Sequence, residues 1–128
     1  KESPVFFAED PALPRAAIAE FIAKVNSSLR EMNVNAVFFG HAGDGNIHIN
    51  ILKGGMDDIE WHKMKPVIRR MIYTTAVNMG GVITGEHGVG YTRKEYMCLM
   101  YSHDEIELMR SIKLAFDPYN LLNPGKIL

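Results

Sequence analysis

Two short stretches of the chain concentrate side chains able to do chemistry. In the first, His41 and His48 flank Ala42-Gly43-Asp44-Gly45-Asn46. If that segment is the turn of a hairpin, the end of one strand and the start of the next present both imidazoles together, and two such nitrogens suit a divalent transition metal. On its own, this spacing also fits two solvated histidines. The second stretch, Gly85-Glu86-His87-Gly88-Val89-Gly90, supplies a carboxylate. Glu86 would complete a two-histidine, one-carboxylate set, which leaves coordination positions open for a substrate. Neighbouring side chains in an irregular loop diverge, so His87 becomes a candidate general base beside that metal. Spacing alone fits an exposed glycine loop equally well.

Other polar residues rank lower. Asp44, between two glycines, reads as an Asx-turn residue. Asn50 shares a strand face with His48 and offers a donor and an acceptor, either to a ligand carboxylate or hydroxyl or simply to water. Arg93-Lys94 is the one basic pair near the glycine loop that would help to anchor an anion; Arg69-Arg70 is too short for a phosphate track. His62 and His103 sit at helix starts and read as solvated. Met64, Met71, Met79 and Met109 fall on helix faces, where core packing explains them.

The elements that must position these residues follow from periodicity. Ile18, Phe21, Ile22, Val25 and Leu29 recur at helical steps, giving an amphipathic helix over about 14–31. Val34 to Phe39 reads as a buried strand, and the short Val5-Phe6-Phe7 run as strand-like. In Ile47 to Leu52, the isoleucines at 47, 49 and 51 face one way and His48, Asn50 and Leu52 the other. A long helix starts with Asp57 or Asp58 as its N-cap and ends at Gly80-Gly81, with Pro66 as either a kink or the true start. Val82-Ile83-Thr84 is expected as a short strand leading into the glycine loop. Ser102-His103-Asp104-Glu105 matches a capping box, opening a helix that runs to Asp117-Pro118. The order β-α-β-β-α-β-α predicts an α+β fold of the ferredoxin-like, split βαβ kind: a mainly antiparallel sheet with helices on one face.

Composition narrows the class. With 128 residues, 47% of them hydrophobic, one soluble compact unit is expected. A net charge of −1 gives no field that would draw nucleic acid or an anionic membrane. The single Cys98 cannot pair internally, which suits a reducing cytoplasm, and its expected place is a buried, small apolar site. Neither a signal peptide nor an apolar run long enough for a membrane span is read from the sequence. The start at Lys1, directly before a strand-like run, is read as the start of a fragment of a longer protein.

Taken together, Gly40-His41-Ala42-Gly43-Asp44-Gly45-Asn46-Ile47-His48, Gly85-Glu86-His87-Gly88-Val89-Gly90 and Leu122-Asn123-Pro124-Gly125-Lys126 resemble the FAD-linked oxidase C-terminal domain. This is the family of the glycolate oxidase flavoprotein subunit, D-lactate dehydrogenases and D-2-hydroxyglutarate dehydrogenase, flavoproteins of the vanillyl-alcohol-oxidase type. The resemblance implies that residues 1–128 are the C-terminal part of a substrate or cap domain whose FAD-binding domain lies elsewhere. It implies a divalent metal, zinc or manganese, on His41, His48 and Glu86, with His87 as base. It also implies substrate contact at Asn50 and at His87, and a return of Asn123 and its turn to the flavin.

The implied activity is FAD-dependent oxidation of a small D-2-hydroxy acid to its 2-oxo acid, by a longer protein of which this chain alone would be inactive. No lysine stands near Phe6-Phe7-Ala8-Glu9-Asp10, where the hydroxyglutarate branch places one, so glycolate or D-lactate is the expected substrate. The implied partners are the flavin domain and an electron-transfer subunit, the latter a route to membrane association. An exposed apolar docking surface is expected, and with it self-association. Two other classes use the same ligands: a metal-dependent hydrolase, and a non-catalytic metal-stabilised binding module.

Overall fold

The side chains of Ile47, Ile49 and Ile51 are buried in the computed structural model, which describes residues 6–128, while His48, Asn50 and Leu52 between them stay partly exposed. That alternation belongs to β3 (Asn46–Leu52), the central strand of a three-stranded antiparallel sheet. On one side it pairs with β1 (Phe6–Glu9), Ala8 opposite Asn50; on the other it pairs with β2 (Asn35–His41), Phe39 opposite His48 and His41 opposite Asn46. The order β1-β3-β2 is what a split βαβ arrangement produces, so the expected α+β class holds. Val5 of the expected first strand lies outside the described residues.

Helices cover the inner face. After a 3-10 turn at Arg15–Ala17, α1 (Ile18–Glu31) buries Phe21, Val25 and Leu29, the stripe expected from periodicity. The second helix, α2 (Asp58–Asn78), starts at an Asp57 N-cap whose carboxylate accepts the Glu60 N–H, and it buries Trp61, Ile68, Ile72, Tyr73 and Ala76. Pro66 sits inside α2 and does not start it. The α2 face meets β1 directly: the Phe7 and Trp61 rings lie 5.2 Å apart. Glu9, buried beneath α2, accepts from Arg69 Nε at 2.5 Å and from the Tyr73 hydroxyl. A buried carboxylate is tolerated when its oxygens are matched in this way. The other sheet face, carrying Phe6, Val37 and Phe39, is open.

The chain forms two compact units rather than the single one expected, the first ending at His87 and the second spanning Gly88–Leu128. All the aliphatic core described above belongs to the first. In the second, the 3-10 turn Lys94–Leu99 buries Tyr96 and Met97 and is followed by α3 (His103–Phe116). The capping box is formed as expected: the Ser102 N–H donates to Glu105 Oε2 at 2.7 Å and the Glu105 N–H to Ser102 Oγ at 3.3 Å. None of the α3 side chains is buried, and Leu108, Ile112 and Phe116 are exposed along with Tyr119 and Leu121. Arg93 and Lys94 are used locally, donating to the carbonyls of Gly88 and Gly125. Among the described residues no helix is long and apolar enough to cross a membrane.

Three further expectations change. The strand expected to be buried is not, since no residue of β2 is fully buried. Cys98 is exposed, because Tyr96 and Met97 take the buried positions of its 3-10 turn. Val82-Ile83-Thr84 does not form a strand: Val82 alone makes a bridge, to Ala12. The Thr84 hydroxyl and the Gly85 N–H turn instead to the side chain and carbonyl of Asp10, which ends any ladder there.

Asp117 closes the C-terminal turn by accepting the N–H groups of Leu121 and Leu122, each at 2.9 Å, and a hydrogen bond from Lys113. The Lys113 hydrogen bond, aided by the two amides, lowers its carboxyl from 3.8 to about 2. A depressed carboxyl contributes its interaction above the ordinary titration range, and the contribution is lost as pH falls towards the folded-state value. The amide resonances of Leu121 and Leu122 are therefore expected to hold still through the usual aspartate range and to move only near pH 2. A midpoint close to 3.8, followed by NMR, would contradict this anchoring.

Candidate functional site

The site is assembled at the point where three segments of the first unit cross. Gly40 ends the regular part of β2 with φ of +153°, a conformation that side chains rarely adopt, and a Cβ there would strike the Asn46 carbonyl oxygen. The hairpin can therefore close tightly, and it brings His41 at the end of β2 to within 5.4 Å of His48, ring centroid to ring centroid. Residues 11–13 then run between this turn and the glycine loop. Pro11 accepts from the Ile47 N–H, Leu13 donates to Gly45, and Ala12 exchanges two backbone hydrogen bonds with Val82. The segment after α2 is thus held beside the hairpin, and Glu86 arrives at the two histidines.

The geometry is compact. Glu86 Oε1 lies 3.0 Å from His48 Nε2 and 4.0 Å from His41 Nε2. One donor atom from each of His41, His48 and Glu86 falls within 4.8 Å of the others. The three come from two strands and a loop, so backbone pairing holds them rather than one flexible segment. His48 is largely buried, with 12% of its side chain exposed, and its ring lies 5.1 Å from that of Phe39; His41 and Glu86 are open to solvent. Such a donor set, nitrogen and oxygen with an accessible side, fits a divalent cation that keeps positions free for another ligand.

His87 joins the same cluster. Its ring stacks on His48 with centroids 5.4 Å apart and 22° between planes, and its Nε2 lies 3.8 Å from Glu86 Oε1. Asn50 lies on the open face that carries His48, opposite Ala8 on β1 and Val37 on β2. Asp44 lies in the hairpin turn, where its N–H donates to the His41 carbonyl. Asn123 belongs to the second unit, where its backbone adopts φ of +49° and its side-chain oxygen accepts from Lys126. The structure therefore gathers His41, His48, Glu86 and His87 in one place, with Asn50 on the adjoining sheet face.

Two residues of this site carry no periodic signal in the sequence. Asp10 is fully buried, and its Oδ2 accepts the backbone N–H groups of Glu86 at 3.1 Å and His87 at 2.9 Å and the Thr84 hydroxyl at 3.1 Å. Strand alternation stops at Glu9, so no periodicity points to Asp10; a carboxylate between a strand end and Pro11 was its only signal. Asn46 is the other. It is buried, and its Oδ1 has no hydrogen-bond partner among the described residues. Its amide packs on Gly85, where a Cβ would lie 2.7 Å from both Asn46 Cγ and Oδ1. Gly85→Ala is accordingly expected to destabilise the protein by about 1–3 kcal/mol, because a buried Asn46 has little room to yield. Denaturant unfolding measures this, and an unchanged midpoint would show that the loop does not depend on that close approach.

Comparison with known proteins agrees with the motifs. The family model described as FAD linked oxidases, C-terminal domain, matches residues 1–127. The chain is 36% identical over 124 residues to the glycolate oxidase subunit GlcD of Bacillus subtilis, an alignment covering 97% of this chain and 26% of that protein. It is 39% identical over 120 residues to a D-lactate dehydrogenase of Archaeoglobus fulgidus, covering 92% and 26%. It is 38% identical over 120 residues to a D-2-hydroxyglutarate dehydrogenase of Stutzerimonas stutzeri, covering 86% and 26%. The chain thus spans about a quarter of the length of these relatives. With the family model matched almost end to end, the chain belongs to the FAD-linked oxidase C-terminal domain family.

Proposed function

We propose that this chain is the catalytic C-terminal segment of an FAD-dependent dehydrogenase that oxidises a small D-2-hydroxy acid, glycolate or D-lactate, to the 2-oxo acid. The observation that carries the proposal is the convergence of His41, His48, Glu86 and His87 in a chain of this family. His41, His48 and Glu86 would hold a divalent metal, zinc or manganese. Such an ion, when bound, supplies a fixed positive charge that lowers the pKa of a nearby hydroxyl. A flavin, held outside the matched segment, would supply the hydride acceptor.

The remaining work falls to the chain's own side chains. His87 takes the substrate hydroxyl proton as the carbon–hydrogen bond breaks, a role suited to an imidazole. Asn50, on the same sheet face as His48, orients the substrate with its amide. The surroundings of Asn50 bear on substrate size. Ala8 and Val37 flank it, and Phe6 and Phe39 lie along the same open face. Among the described residues of this border, Phe6, Ala8, Val37 and Phe39 offer no cation for a second, distal carboxylate, which favours a monocarboxylate. Asn123 would contact the flavin, and an electron-transfer subunit would take the electrons onward in the cytoplasm or at a membrane to which that subunit binds.

The test uses the flavin-loaded protein that carries this domain, with glycolate, D-lactate or D-2-hydroxyglutarate and an artificial electron acceptor. Flavin reduction by glycolate or D-lactate, faster than by hydroxyglutarate, is expected. Absence of reduction by all three overturns the reading, and preference for hydroxyglutarate overturns the substrate assignment alone.

A further inference from the structure

We infer that Asp10 is the positioning residue of the site, setting the tautomer and direction of His87 while fixing the peptide that joins it to Glu86. The catalytic consequence of this inference rests on the proposed function; the geometry does not. Asp10 is fully buried at the end of β1, where an isolated carboxylate would be costly unless its oxygens were matched by donors. One short segment supplies several of these donors. The Thr84 hydroxyl and the Glu86 and His87 N–H groups donate to Oδ2, and the Gly85 N–H donates to the Asp10 carbonyl at 2.6 Å. Every residue from 84 to 87 is thereby tied to Asp10, a far stronger constraint than a glycine-flanked loop would have alone.

The same oxygen faces the His87 ring. His87 Nδ1 lies 3.5 Å from Asp10 Oδ2, while Nε2 is on the side of Glu86 Oε1. A carboxylate facing Nδ1 favours the tautomer with the proton on that nitrogen, which leaves Nε2 as the lone-pair nitrogen turned towards the metal-ligand cluster. A base must present its lone pair to the proton that it takes, so Asp10 selects the competent form of His87. The dual attachment also couples the two functions of the loop: whatever moves Asp10 moves a metal ligand and the base together.

The direct measurement is the 15N shift pattern of the His87 ring in the intact protein, which distinguishes a protonated Nδ1 from a protonated Nε2. Protonated Nδ1 is expected, with a shift towards Nε2 in Asp10→Ala. Turnover supplies the second readout. Asp10→Ala should lower kcat about 10–100-fold with KM little changed, the usual cost of removing a partner that orients a functional side chain. Asp10→Asn, whose amide oxygen can still accept from both loop N–H groups, should recover most of that loss. In a His87→Ala background, Asp10→Ala should cost little more, since residues acting through one group are non-additive.

A protonated Nε2 in the unsubstituted protein overturns the inference, and it does so even if Asp10→Ala fails to fold. An Asp10→Ala loss that persists in full without His87 also overturns it, assigning Asp10 to scaffolding alone. If the unsubstituted protein oxidises no hydroxy acid, the proposed function falls, and the ring measurement still decides the role of Asp10.

Discussion

Replacing His87 by alanine in the flavin-loaded protein is expected to lower turnover about 10²–10⁴-fold, the usual contribution of a positioned general base. The expectation rests on its position. His87 stacks on His48, its Nε2 lies near Glu86, and about half of its side chain is open to solvent, so a substrate can reach it. Removing the ring should leave the cluster of His41, His48 and Glu86 in place, because the Glu86 backbone is tied to Asp10 by its own N–H. Metal content should therefore be retained while kcat collapses. Equal losses of metal and turnover would instead make His87 a ligand. Retained turnover would remove it from the mechanism.

The second large effect concerns Glu86. Glu86→Ala removes the only carboxylate of the donor set and leaves two imidazoles. Loss of an outer partner of a ligand typically costs about 10–100-fold in metal affinity, and loss of the ligand itself should cost at least that. Folding should survive, since about half of the Glu86 side chain is exposed. Turnover should fall with the metal and should not recover at saturating hydroxy acid. A variant that binds metal normally would show that the carboxylate is not a ligand.

The contrast between what could and could not be read in the sequence is physical. The alternation of Ile47, Ile49 and Ile51 with His48, Asn50 and Leu52 was legible because one face of β3 is buried and the other open. The α1 stripe and the Ser102 capping box were legible for the same kind of local reason. Meeting of Glu86 with the histidines was suggested only by residue type and resemblance; what produces it is the path of residues 10–13 between the hairpin turn and the glycine loop. That path is set by tertiary hydrogen bonds with no periodicity, so local pattern neither points to Asp10 nor argues against a strand at Val82-Ile83-Thr84. Division into two units was equally hidden, since α3 has a plausible apolar stripe yet buries none of it. Cys98 shows the limit of residue-type averages: its neighbours Tyr96 and Met97 filled the buried positions first.

We propose His41, His48 and Glu86 as a metal site. It is tested most directly by measuring bound metal, and zinc and manganese affinity, in the protein and in a His41→Ala, His48→Ala double variant. Near-stoichiometric metal, lost from the double variant while its fold is kept, is the predicted result. Equal binding by both proteins, or no specific binding by either, would contradict the ligand assignment.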